Sequence, residues 1–154
     1  MEQGKEELLE RIRGAEWGEV PELQNGYALH YAAEELRGDR EIVLAAVKQN
    51  GYALQFAAEE LRGDREFILA AVKQSGDALE YAAEELKGDK EIVLAAVKQS
   101  GRALSFAAEE LRGDREFVLA AVFALDYAAE EHALKYATEE LKGDREIVLA
   151  AVKQ

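Results

Sequence analysis

The chain has 154 residues, a formal net charge of −13 and no cysteine. The missing cysteines exclude a disulfide framework and a thiolate metal site, and the excess of carboxylates argues against partners such as nucleic acids or anionic membrane surfaces. The charged first residues, MEQGKEELLERIRG, do not resemble a signal peptide, and no apolar run is long enough to span a bilayer. We therefore expect a soluble, intracellular protein.

The N-terminal segment differs from the rest of the chain. Residues 5–13, KEELLERIR, are predicted to form a short amphipathic helix. The only Trp and the only Pro lie in the following segment, and solenoids need an atypical terminal unit that shields the first apolar face. We interpret Trp17 and Val20 as that shield, with a binding role as the alternative. Residues 1–24 are thus predicted to be a capping helix and loop.

A unit of about 25 residues recurs four times over residues 25–122, and one copy reads NGYALQFAAEELRGDREFILAAVKQ (50–74). Its apolar spacing predicts a first helix over 51–61. We expect Gly63 to end that helix in the left-handed conformation and Asp64 to cap a second helix that begins after it.

One such hairpin has too few large apolar side chains to offset the entropy lost by ordering its residues. Stacking against neighbouring copies must supply the difference. The predicted fold class is therefore all-α, a solenoid of short helix-turn-helix repeats of about 25 residues each.

The pattern changes after Val122, where the turn residues of the earlier copies are replaced by FALDYAAEEH. With no glycine or proline between Asp114 and Lys142, we predict one long fused helix of about 28 residues, about 42 Å long at 1.5 Å per residue. Residues 123–154 would then comprise the continuation of this helix and a final hairpin. The alternative is a kink near Glu131 and His132 that folds the hairpin back.

A long fused helix would carry the final hairpin away from the stack and leave its apolar face uncovered. A second chain could cover that face by domain swapping or a two-fold contact, so we predict a homodimer. The candidate self-association residues are Phe123, Leu125, Leu134, Leu141, Ile147 and Leu149.

Differences between the copies concentrate at two positions of the first helix, three residues apart. Positions with that spacing share one side of a helix. If the protein binds a partner, these positions are the candidate binding face. The residues are Tyr27, His30, Tyr52, Gln55, Asp77, Glu80, Arg102 and Ser105.

Three sequence motifs have structural explanations that we prefer to functional ones. The Arg-Gly-Asp tripeptides resemble integrin-binding loops, but their Gly and Asp are already needed as helix stop and helix cap. Adjacent glutamates such as Glu59 and Glu60 point about 100° apart on a helix, so they indicate a solvated face rather than a metal site. His30 and His132 are isolated.

With no nucleophile beside a base and no phosphate-binding glycine loop, we expect no enzyme, no catalytic residue, no metal and no cofactor.

The string ALxYAxEELKGDxEIVLAAVKQNG resembles the repeat of the family named domain of unknown function 4116, which consists of short tandem helical repeats. The resemblance covers nearly all of residues 25–154 apart from the junction at 123–132. It implies a fold and no activity. The near identity of the copies leaves two origins open, recent expansion of an array and consensus design.

These observations together predict a non-enzymatic helical-repeat scaffold that presents an interaction surface and self-associates through its C-terminal helices. The alternative is a solenoid module that binds a basic peptide or protein. We expect no nucleic acid and no membrane among its partners.

Overall fold

In the computed structural model of the chain, residues 2–13, 27–125 and 134–153 are described. The predicted shield residues Trp17 and Val20 lie outside these ranges, as do His132 and residues 126–133 of the junction.

Within the described residues, six longer α-helices run along the stack. Their bounds are α1 Glu2–Arg13, α2 Arg40–Gln49, α3 Arg65–Gln74, α4 Lys90–Gln99, α5 Arg115–Ala124 and α6 Arg145–Lys153.

Each of α2 to α6 is preceded by one short helix, and in four of the units a 3-10 helix comes before that. The short helices are Glu34–Arg37, Glu59–Arg62, Glu84–Gly88 (itself 3-10), Glu109–Arg112 and Glu139–Lys142. The 3-10 helices are Tyr27–Tyr31, Gly51–Phe56, Gly76–Tyr81 and Gly101–Phe106. No strand occurs in the part of the chain that is described, which confirms the all-α repeat solenoid.

The first helix of each unit is not continuous, contrary to the prediction for residues 51–61. It divides at Ala57 and Ala58, which are extended with ψ of 153° and 146°. The Ala58 amide donates to the carbonyl of Arg37 in the preceding unit at 2.9 Å. The same bond recurs at Ala83, Ala108 and Thr138. A hydrogen bond between units therefore replaces one within the helix.

Gly63 ends the short helix as predicted, but in the right-handed region, with φ −96° and ψ −6°. The expected left-handed conformation is wrong. A Cβ at Gly63 would meet its nearest neighbour, the Glu59 carbonyl oxygen, at 3.7 Å, an ordinary contact distance. This glycine is therefore not required by sterics.

The prediction that aspartate caps the second helix is confirmed. Asp64 accepts a hydrogen bond from the amide of Phe67 at 2.9 Å, and the equivalent aspartates of the other units accept from the first amides of their helices. Such bonds satisfy amides that have no partner within the helix.

The core runs along the whole stack, because each long helix packs on the next in chain order from α1 to α6. Its largest members are fully buried, among them Leu54, Phe67, Leu79 and Leu104. Long helices and 3-10 helices both contribute, so the two rows of helices enclose one continuous apolar layer.

A row of ion pairs follows the same order along the surface. A basic residue at the start of one long helix contacts the capping aspartate of the next unit. The distances are 2.9 Å for Lys5–Asp39, 2.6 Å for Arg40–Asp64, 2.7 Å for Arg65–Asp89, 2.6 Å for Lys90–Asp114 and 2.8 Å for Arg115–Asp144.

The long fused helix over 114–141 is wrong. Helix α5 ends at Ala124, and Leu125 is extended with φ −89° and ψ 142° and is buried. The final unit packs on α5 within the same chain, since Thr138 donates to the Arg112 carbonyl at 3.1 Å. Folding back restores the contacts that every other pair of units makes. The final hairpin therefore folds back on the stack, but α5 ends at Ala124, and the alternative kink near Glu131 and His132 falls outside the described residues.

Candidate functional site

The positions that vary between copies lie on one row, formed by the four 3-10 helices; we call this the variable ridge. A 3-10 helix has three residues per turn, so the two variable positions of each copy, such as Tyr52 and Gln55, lie on the same side. His30, Gln55 and Arg102 are exposed, whereas Tyr52, Asp77, Glu80 and Ser105 are half-buried. The side chain of Tyr27 is outside the described part of the molecule.

The ridge residues contact one another across units, which the sequence did not reveal. Arg102 Nη1 donates to the Tyr52 hydroxyl at 2.9 Å, although the two residues are 50 positions apart. The Tyr52 ring meets the Tyr81 ring edge to face at a centroid distance of 5.9 Å. Three consecutive copies thus share one contiguous surface patch.

Charges on this patch partly compensate one another. The hydrogen bond to Tyr52, and then the carboxylates of Asp77 and Glu80, raise the pKa of Arg102 above its ordinary value. Ser100 Oγ lies 3.3 Å from Asp77 Oδ1 and donates to it. Glu80 Oε2 is buried and has no hydrogen-bond partner among the described residues. The patch therefore combines aromatic area with oriented polar groups, as protein-binding surfaces do.

The first copy extends the patch with aromatic contacts. His30 lies 4.8 Å from both the Tyr31 and the Phe56 ring centroids, and Tyr31 is 71% exposed. In the second copy, Gln55 Nε2 donates to the Tyr52 carbonyl at 3.0 Å. The His30 ring therefore makes an edge-to-face contact with Tyr31 and a tilted contact with Phe56.

The Arg-Gly-Asp tripeptides are part of the scaffold in each described copy. Asp64, for example, is held by the Phe67 amide and by Arg40, and these two contacts lower its pKa. Its carboxylate is thus engaged within the stack.

The glutamate pairs form a second surface feature, which we call the acidic row. All ten side chains are exposed, two on each short helix: Glu34, Glu35, Glu59, Glu60, Glu84, Glu85, Glu109, Glu110, Glu139 and Glu140. Only weak local pairing is seen among the described residues, with Lys87 on Glu84 at 2.7 Å and Lys142 on Glu139 at 2.6 Å. The row concentrates much of the negative charge of the chain.

The predicted self-association residues divide into two groups. The first group is buried in the core of its own chain and cannot contact a second chain in this fold; it comprises Leu125, Leu141 and Ile147. Leu134 is half-buried. Phe123 is 58% exposed, and with Leu149 it lines a cleft of about 660 Å³.

Helix α6 also exposes Val152, which was not among the candidate self-association residues. Val152 is 73% exposed, whereas the equivalent valines of the four preceding units are fully buried by their neighbours: Val47, Val72, Val97 and Val122. The repeat register was the available signal, because it assigns Val152 to the position of these buried valines.

The described residues hold neither a metal-ligand cluster nor a membrane-spanning helix. Within them, no three His, Cys, Asp or Glu side chains are grouped so that they could hold a metal ion. Their helices are also too short or too polar to cross a membrane.

A comparison with protein families matches residues 23–62, 64–112, 89–132 and 114–154 to one family in tandem. No curated protein and no solved structure gives a significant match. The four segments together cover far more than half of the chain and follow the period of the helical units. The chain therefore belongs to the family described as Domain of unknown function (DUF4116).

Proposed function

We propose that the protein is a non-enzymatic scaffold that binds another protein or peptide through the variable ridge. One observation carries the proposal: the two positions that change most between the copies lie on one ridge, where Arg102 and Tyr81 each contact Tyr52, so that three units are joined. Aromatic and arginine side chains held rigidly in this way are the usual anchors of protein interfaces.

A peptide library displayed on phage tests this proposal. Peptides selected on the wild type are expected to lose at least tenfold in affinity for the Tyr27→Ala/Tyr52→Ala variant, while its melting temperature changes little. The matched control is Lys73→Ala, on the exposed side of α3, which should bind as the wild type does. Equal binding to the ridge variant would contradict the proposal.

The alternative function is a module for a basic peptide or protein, which the acidic row favours. Ten exposed carboxylates on a chain of net charge −13 attract cations at a distance. A labelled lysine-rich peptide should bind with an affinity that falls as salt rises. Glu59→Gln/Glu60→Gln should weaken binding more than Glu2→Gln/Glu10→Gln, which removes equal charge from α1. Equal effects would indicate attraction to net charge alone.

Self-association through the C-terminal helices is a further part of the proposal, supported by the exposed Val152. Domain swapping was predicted from a long helix that the structure does not have. The exposed side of α6 is the surface that we now propose for self-association. Light scattering over a range of concentrations should show a mass above 17.0 kDa for the wild type and a smaller increase for Val152→Glu. Monomers at every concentration would contradict self-association.

A further inference from the structure

We propose that the protein assembles head to tail, and that α1 limits this assembly by occupying the site of the incoming copy. The inference rests on the proposed self-association and names its partner, a second copy of this chain. Two surfaces carry it. The tail face is the outer side of α6, with Arg145, Val148 and Val152, and the head face is the side of the first unit that α1 contacts.

The tail face lacks what covers the same surface in every preceding unit. Val148 is half-buried, although its equivalents, Val43, Ile68, Val93 and Val118, are fully buried. Arg145 stands at the position of Arg115, which pairs with the next capping aspartate, yet among the described residues no acid pairs with Arg145. The tail face thus has apolar area of the kind that the next unit covers in the preceding copies, and a cation with no acid partner among the described residues.

The backbone shows the same gap. Each short helix from the first to the fourth presents the carbonyl of its fourth residue to an amide of the next unit, as Arg112 does to Thr138 at 3.1 Å. In the described part of the chain no amide donates to the equivalent carbonyl, that of Lys142. At the other end of the stack, the amide of Ala33 is the donor without an acceptor among the described residues.

Helix α1 takes the place of a preceding unit on the head face, but only in part. Lys5 contacts Asp39 at 2.9 Å and Glu41 at 3.1 Å, as Arg65 contacts Asp89 and Glu91. Lys5 thus occupies the position that an arginine of a preceding long helix would take.

The rest of the head face stays incompletely covered. A cavity of about 240 Å³ lies between Leu8, Ala28, Tyr31 and Leu36. Leu36 is half-buried, whereas its equivalents, Leu61, Leu86 and Leu111, are 5–8% exposed. Among the described residues, α1 therefore fills the long-helix position, and none of them fills the positions of a preceding short or 3-10 helix.

The two faces match in charge, hydrogen bonding and apolar area. Arg145 of one copy can reach the Asp39 carboxylate of the next when Lys5 leaves, and the Ala33 amide can donate to the Lys142 carbonyl. A tail-to-tail contact would instead place two Arg145 side chains together. The contact is heterologous, so it generates open chains rather than closed dimers.

Opening α1 and blocking α6 in separate chains tests this arrangement. The variant Leu8→Asp/Leu9→Asp/Val152→Glu has an open head and a blocked tail. The two aspartates replace buried leucines of α1 and should release this helix from the first unit, and the glutamate places a charge on the apolar tail face. At a concentration where wild type alone is monomeric, mixing the two should give a 1:1 species of twice 17.0 kDa, while the variant alone stays monomeric. Adding Arg145→Glu to the wild-type partner should weaken the mixed species at least tenfold.

A milder opening variant, Lys5→Glu, guards against misfolding, because Lys5 is a surface residue whose loss leaves the core intact. With Val152 unchanged, it should form longer oligomers at lower concentration than wild type. If wild type associates through Val152 but neither opening variant associates more tightly, head-to-tail assembly is overturned and self-association stands. If no chain associates at any concentration, both are overturned.

Discussion

Glycines that look equivalent in the repeat carry different requirements. A Cβ at Gly76 would approach the Ala96 carbonyl oxygen to 2.3 Å, whereas one at Gly63 would find ordinary contact distances. We expect Gly76→Ala to lower the free energy of unfolding by about 1–3 kcal/mol through overpacking. Gly63→Ala should raise it by about 0.4–1 kcal/mol, because alanine restricts the unfolded chain. Chemical denaturation of both variants measures the difference, and equal effects would contradict the assignment.

Capping aspartates combine two roles that substitution can separate. Asp89 accepts from the amides of Glu91 and Ile92 and from Arg65. Asp89→Ala removes both roles and should cost about 1 kcal/mol as a lost cap. Asp89→Asn keeps an oxygen acceptor for the amides and should cost less. Thermal unfolding compares them, and an equal loss for the two variants would show that the ion pair, rather than the cap, carries the stabilisation.

Acid should destabilise the stack through the same aspartates. Burial raises the pKa of Asp89, but Arg65 and the Ile92 amide outweigh it, and the pKa lies below its ordinary value. The unfolded chain, with aspartate pKa of about 3.9, therefore takes up protons first. This stabilisation is present above about pH 4 and is lost as pH falls through the folded pKa. Unfolding curves from pH 6 to pH 2 should show a smaller acid loss for Asp89→Asn than for wild type.

At the level of the element, the bond between consecutive units decides where the first helix divides. Proline at position 58 fits the local backbone, with φ −57°, yet it cannot donate to the Arg37 carbonyl. Ala58→Pro should therefore cost about 1–3 kcal/mol by leaving that carbonyl unsatisfied.

Ala33→Pro is the matched control for this substitution. It occupies the same place in the first unit, with φ −60°, where no described carbonyl accepts from residue 33. It should be neutral or slightly stabilising. Urea denaturation measures both variants. Equal losses of stability would show that the proline ring clashes with its surroundings at both positions, and that the lost hydrogen bond to the Arg37 carbonyl is not the cause.

The sequence predicted those elements whose signals are local. The aspartate at each cap, the apolar spacing of the long helices and the 25-residue period all follow from nearby residues. The division at Ala57 and Ala58 does not, because alanine favours a helix and the competing acceptor lies in another unit. The long fused helix failed for the same reason: the absence of glycine favoured continuation, but burial of Leu125 and contacts to α5 decided otherwise.

The candidate site was predictable only in part. Comparison of the copies found the variable positions, since variation is visible in one sequence. The contact between Arg102 and Tyr52 was not predictable, because it depends on the rotation between units, which no local pattern encodes. The tail face was predicted only in part: the final hairpin was expected to need a partner, but Leu141 and Ile147, named for that contact, are buried in their own chain, whereas Val152 is exposed.

For the whole molecule, stability should vary along the stack. Helices α3 and α4 are covered on both sides by neighbours, whereas α6 is covered on one, as the exposure of Val152 shows. In a stack coupled only between neighbours, such an end opens first. Native-state hydrogen exchange should therefore find the slowest amides in α3 and α4 and the fastest of the long helices in α6. Uniform protection would indicate all-or-none unfolding.

The bonds between units also have a mechanical consequence. Backbone hydrogen bonds and ion pairs recur at the same place in each repeat, for example from Ala58 to Arg37 and from Arg40 to Asp64. A force that pulls the two ends of the chain apart loads these joints in series, and the weakest yields first. Each released unit of about 25 residues adds about 80–90 Å of extended chain. The protein would then lengthen under tension in equal steps, one unit at a time.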